Sequence, residues 1–255
     1  MSIERLQQAI RRCKTPVALG LRADAAALPQ ALLRQFTELY GATPMATAEA
    51  VRYTGCRVLE DCADVLSAVY LDVMSYLRLG SLGLDVLANL CDVAHHRGYY
   101  VIADCRAAEP EAWFALLPHA DAVTVTPYTG GECCRVGEDK AAFALVRTKG
   151  PLSGEVQNLM AGDRRLYAAV CEQMARRGAG AVIETGYSLD IREVRKKQEK
   201  LFLVLTDCAP EDAECAFDDY GHGALVVDGT VAAAADAKEA ALQAVKHMKQ
   251  YVTVV

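Results

Sequence analysis

Tyr99-Tyr100-Val101-Ile102-Ala103-Asp104-Cys105-Arg106-Ala107-Ala108-Glu109-Pro110 is the stretch that decides how this chain folds. The apolar run behind Gly98 reads as a short strand buried on both faces. It leads into an acid, a base and a second acid at the spacing Asp-x-Arg-x-x-Glu, and Pro110 stops it where a helix can begin. In a parallel α/β protein, residues just past the carboxyl end of a strand are where chemistry sits. Asp104, Arg106 and Glu109 are therefore the first candidates for a catalytic set.

The same unit repeats outward in both directions. Apolar runs at 16–21, 68–72, 99–104, 122–126, 143–147, 181–183, 201–205 and 224–227 read as strands. Between them, helices are predicted at 28–40, 47–67, 82–97, 111–117, 163–177, 189–197 and 210–219, with 231–251 closing the chain and a polar loop at 148–162. Ile3, Leu6, Ile10 and Cys13 fall at helical spacing, so an N-terminal helix precedes the first strand. Eight strand–helix units in about 250 residues is the arithmetic of a (β/α)8 TIM barrel. An open doubly wound sheet is the alternative, but no Gly-x-Gly-x-x-Gly turn follows any strand. No stretch reads as a linker, so residues 1–255 are expected to form one domain.

Composition narrows the classes of function. Hydrophobic residues make up 53% of the chain and charged residues 24%, with a net charge of −6. No long block of like charge points to nucleic acid or an anionic membrane, and the basic cluster at 192–200 is broken by Glu193 and Glu199. The N-terminus lacks the apolar core of a signal peptide, and no apolar run reaches the roughly 18 residues of a membrane helix. A cytoplasmic protein is expected. Its ten cysteines contain no Cys-x-x-Cys pair and read as small buried residues, the adjacent Cys133 and Cys134 included. His95 and His96 fall at a predicted helix end, where imidazole complements the dipole. His222 precedes the last strand, at the catalytically silent bottom of a barrel.

In a barrel the strand ends converge on one mouth. In order these are Arg22, Asp72, Asp104 with Arg106 and Glu109, Thr126 with Tyr128, Arg147 with Lys149, Glu184, Asp207 and Asp228. So many ionisable groups at matched positions point to a solvated pocket for a small molecule. Hard carboxylate oxygens of this kind are ligands for Mg²⁺, although the neighbouring cations offer the alternative of neutralising them. The expectation is a site with no metal and no cofactor.

Two stretches carry a family resemblance. Asp121-Ala122-Val123-Thr124-Val125-Thr126-Pro127-Tyr128-Thr129-Gly130, and Leu145-Val146-Arg147-Thr148 with Gln157 beyond, resemble segments of the orotidine 5′-phosphate decarboxylase family, in its longer bacterial subfamily. The similarity runs over nearly the whole chain. It implies a (β/α)8 barrel that forms a homodimer with active sites at the subunit interface, a carboxy-lyase activity of pyrimidine biosynthesis, and Gln157 among the ligand contacts.

The departures from that family fall where the chemistry belongs. Its hallmark is Asp-x-Lys-x-x-Asp, whose lysine protonates the carbanion left by carbon dioxide and whose second aspartate serves the neighbouring subunit. Here the stretch is Asp104-x-Arg106-x-x-Glu109. A guanidinium, with a pKa above about 12, keeps its charge but is a poor general acid. Arg22 stands where the family has a ribose-binding aspartate, and Tyr70 where it has a lysine. At the eighth strand Val227-Asp228-Gly229 replaces a segment that supplies the phosphate-binding arginine. A carboxylate about 4 Å from a phosphate is repelled by several kcal/mol at an effective dielectric of about 20. Two outcomes follow: a divergent barrel with weak or no decarboxylation of orotidine monophosphate that binds another small ligand, or a working decarboxylase whose donor has moved, Lys149 being nearest. Cys105 and Cys208 follow strands but lack a histidine partner for nucleophilic work.

Overall fold

In a computed structural model that describes residues 2–184 and 188–255, the expected apolar runs form a closed, all-parallel barrel of eight strands. They are β1 (Val17–Leu21), β2 (Ala68–Leu71), β3 (Tyr100–Ala107), β4 (Ala122–Val125), β5 (Ala141–Arg147), β8 (Gly180–Glu184), β9 (Leu203–Thr206) and β10 (Ala224–Asp228). The remaining pair, β6 (Met160–Ala161) and β7 (Arg164–Arg165), is a separate antiparallel ladder. The barrel closes where β1 pairs with β10, Leu19 lying opposite Asp228.

Alternation along each strand makes two apolar layers. Ala18, Tyr70, Ile102, Phe143, Val182, Val204 and Leu225 fill the barrel interior. Leu19, Val69, Val101, Val123, Ile183 and Leu205 face outward against the helices. Those helices include α1 (Ser2–Cys13), α2 (Gln30–Tyr40), α3 (Pro44–Cys62), α4 (Val73–Leu77), α5 (Gly80–His96), α6 (Pro110–Leu116) and α7 (Ser153–Gln157). They continue with α8 (Leu166–Ala175), α9 (Ser188–Lys197), α10 (Pro210–Ala213) and α11 (Ala237–Met248). The N-terminal helix plugs the barrel floor: Leu6 and Ile10 are fully buried and pack in the interior cluster. Among the described residues, no helix is long and apolar enough to cross a membrane.

Four expectations are corrected. β3 does not stop at Asp104 but runs on to Ala107, with a register shift against β4 between Ala103 and Ala107. The polar loop at 148–162 contains α7 and half of the β6–β7 ladder, because Gly162 (φ 73°) reverses the chain. That turn also delays the helix expected from 163 until Leu166. The helix expected over 231–251 is split: a 3-10 turn at Val231–Ala233 gives way to α11, whose start is set by the Asp236 carboxylate accepting from the Glu239 amide. The cysteines are free thiols, with Cys133 and Cys134 buried and their Sγ atoms 3.9 Å apart. His222 lies at the foot of β10 and takes a hydrogen bond from Arg11.

Candidate functional site

Side-chain parity sorts the residues at the carboxyl end of the barrel. Tyr70, Asp104, Thr124, Glu184, Thr206 and Val227 keep the inward parity of the core residues below them in their strands. Gly20, Arg22, Tyr70, Asp72, Asp104, Arg106, Glu184, Thr206, Asp207, Val227 and Gly229 line a mouth of about 220 Å³. A larger cavity of about 610 Å³ lies beside it, between α2, α3 and the segment after β10, and touches the mouth at Leu21, Arg22 and Gly229. Its walls are mainly apolar but include Asp24, Arg57 and Asp61.

A guanidinium held by two carboxylates forms the centre. Asp104 is 4% exposed; its Oδ1 accepts from the Thr124 hydroxyl at 2.6 Å, and its Oδ2 from Arg106 Nη2 at 3.3 Å. The same Arg106 nitrogen donates to Glu184 Oε1 at 2.5 Å. Thr124 Oγ1 also accepts from the Arg106 amide at 2.9 Å, so one buried hydroxyl fixes both members of the Asp-x-Arg pair. The cost appears in the backbone: Arg106 (φ 50°) and Asp207 (φ 54°) both sit in the left-handed region that L side chains avoid. Strain at non-glycine residues is a feature of ligand clamps.

Burial opposes the charge on Arg106, but Asp104, Glu184 and Tyr70 outweigh it and hold the guanidinium above its ordinary value. Burial also pushes the Glu184 carboxyl up, against the pull of Arg106. Tyr70 is lifted well above the phenol range by burial and by the Asp104 and Glu184 charges. Its hydroxyl faces Asp104 electrostatically, yet it is buried without a hydrogen bond of good geometry. Of the three groups, Glu184 alone is shifted in the direction of neutral pH.

The structure brings Arg22, Asp72, Asp104, Arg106, Glu184 and Asp207 together. Asp72 also caps α4, its Oδ1 accepting from the Ser75 amide at 3.3 Å. Lys149 stands at the rim, 65% exposed, with Nζ 3.4 Å from Asp207. The other expected residues lie outside the mouth. Arg147 is turned into the helix layer, where it donates to Asp190 and Gln157 at 2.9 Å each and lies over the Tyr167 ring. A register shift against β8 between Leu145 and Arg147 breaks the alternation that would have aimed it inward. Gln157 is spent on Arg147 and on Thr148, whose amide and hydroxyl it also engages. Asp228 has outward parity and accepts from the Thr230 amide and hydroxyl, so its carboxylate closes a turn. Thr126 precedes a 3-10 turn (Pro127–Thr129) beyond β4, and Tyr128 lies within that turn, exposed. Glu109 is exposed at the start of α6.

Thr124 and Thr206 were missed by reading strand ends alone. The signal was there for Thr124: one hydroxyl inside the apolar run Ala122–Val125 must find a polar partner. Tyr70 gave a weaker one, as a phenol on a fully buried strand.

Comparisons with known proteins find orotidine 5′-phosphate decarboxylases among both curated relatives and solved structures. No family model matches the chain. A curated orotidine 5′-phosphate decarboxylase from Thermomicrobium roseum is 28% identical over 211 residues, covering 76% of this chain and 70% of that protein. One from Clostridium novyi is 24% identical over 229 residues, covering 80% and 77%. Among solved structures, Leishmania donovani OMP decarboxylase superposes with a TM-score of 0.79 at 22% identity, over 98% of this chain and 99% of that one. The resemblance read from the sequence is therefore borne out, and so is the barrel.

Proposed function

We propose, starting from that kinship, that this chain is a divergent member of the orotidine 5′-phosphate decarboxylase family that does not decarboxylate orotidine monophosphate efficiently and binds a different small ligand in its mouth. One observation carries the reading. Where the family places a lysine that delivers a proton, Arg106 is clamped between Asp104 and Glu184. A guanidinium so paired is held in its charged form and has no proton to release at neutral pH. Lys149 is the remaining nearby amine; its exposed position, paired with Asp207, puts it at the rim instead of under a substrate carboxylate. No cation replaces the family's arginine at the end of β10, where Asp228 closes a turn and Gly229 lines the mouth.

The assay is ultraviolet loss on mixing the purified chain with orotidine monophosphate. Turnover far below about 1 s⁻¹, the low end of ordinary enzyme rates, is expected. Turnover within the ordinary range would overturn the proposal and favour a relocated donor. Arg106→Lys alone is expected to restore little, because the anion contact is still missing.

The chain is further proposed to work in the cytoplasm as a homodimer. Glu109, exposed and away from its own mouth, stands where the family's second aspartate reaches a neighbouring site.

A further inference from the structure

We infer that the mouth is built for a small, singly charged amine that also carries a hydroxyl or carbonyl oxygen. This inference rests on the proposed loss of nucleotide chemistry and names what takes its place. Four carboxylates (Asp72, Asp104, Glu184 and Asp207) line the mouth against the guanidinium groups of Arg22 and Arg106. Lys149 neutralises Asp207 from the rim, which leaves one negative charge uncompensated when Glu184 is ionised. A monocation balances it. A divalent metal fits less well, because Arg106 already occupies the centre and, among the described residues, no three carboxylate, thiol or imidazole side chains converge on one point.

Tyr70 supplies the second, independent observation. It is 6% exposed and lines the mouth, and its hydroxyl faces the Asp104 carboxylate without a hydrogen bond of good geometry. A buried hydroxyl held in poor hydrogen-bond geometry carries a desolvation cost that a ligand oxygen relieves by accepting from it. Glu184 Oε1 is taken by Arg106, whereas Oε2 has only a long contact of 3.5 Å from the Lys149 amide and is open to an ammonium group. The space of about 220 Å³ admits a short amino alcohol.

The test is a calorimetric or NMR titration of the full chain at neutral pH with 3-amino-1,2-propanediol, with glycerol as its uncharged counterpart and with uridine monophosphate. Saturable binding of the amine is expected, with glycerol at least about tenfold weaker. Tyr70→Phe and Glu184→Gln should each weaken the amine severalfold, with melting curves confirming that the variants fold. Equal binding of amine and glycerol, no saturable binding of the amine, or wild-type affinity in a folded Tyr70→Phe chain would each overturn the inference. So would uridine monophosphate binding in place of the amine. Failure here without turnover of orotidine monophosphate removes only this inference, whereas such turnover removes the functional proposal beneath it.

Discussion

Glu184 links the charge pattern of the mouth to the stability of the fold. Burial raises its carboxyl above the ordinary range, although Arg106 draws it back. The folded state thus holds this proton more tightly than the unfolded chain does. Its contribution to stability is fully present below the ordinary carboxylate value and is lost as pH rises through the raised folded value. Glu184→Gln has no proton to lose and should gain on the wild type as pH climbs from about 4 toward neutrality. Urea midpoints of both chains across that window check this, and a difference independent of pH would contradict it. The identities of Asp104, Arg106 and Glu184 as site residues were legible from their positions at strand ends. Their pairing was not, because Arg106 and Glu184 are 78 positions apart and only barrel closure brings them together.

At the level of elements, two departures from regular strand geometry decide what the mouth contains. The irregularity in β3 carries Arg106 back over Asp104, and the one in β5 sends Arg147 outward. Period-two reading assumes an unbroken ladder; it still places Arg106 at the mouth but fails for Arg147. For Asp228 the ladder is unbroken, and the parity of Leu225 and Val227 already assigns the carboxylate to the outer face. The expected electrostatic inversion at a phosphate was therefore a matter of the wrong face. Close approach of β1 to the end of β10 sets a further constraint. A Cβ at Gly20 would stand 2.9 Å from Gly229 Cα and 3.1 Å from Asp228 O, where backbone must move to admit it. Gly20→Ala is expected to cost about 1–3 kcal/mol by overpacking. Denaturant unfolding checks it, and an unchanged midpoint would show that the two strands separate freely.

For the molecule as a whole, apolar side chains remain on the rim beside the mouth. Tyr128, Leu152, Leu159 and Met160 are 57–76% exposed on the segments that follow β4 and β5. A second copy covering this edge is one form of the homodimer proposed above. Sedimentation equilibrium should give a dimer, and Leu152→Glu with Met160→Glu should shift it toward monomer by burying unpaired charge. A wild-type chain that stays monomeric at micromolar concentration would refute the arrangement. The barrel itself was readable in the sequence: uniformly apolar strands spaced by helices bury both faces in a parallel sheet, and eight such units with no Gly-x-Gly-x-x-Gly turn favour the closed form. The N-terminal helix was equally plain, since Leu6 and Ile10 repeat at helical spacing and require a floor to cover. What only the tertiary structure decided is which charged ends face one another. That choice depends on strand register, two bulges and the closure of β1 on β10, none of which leaves a local mark in the order of residues.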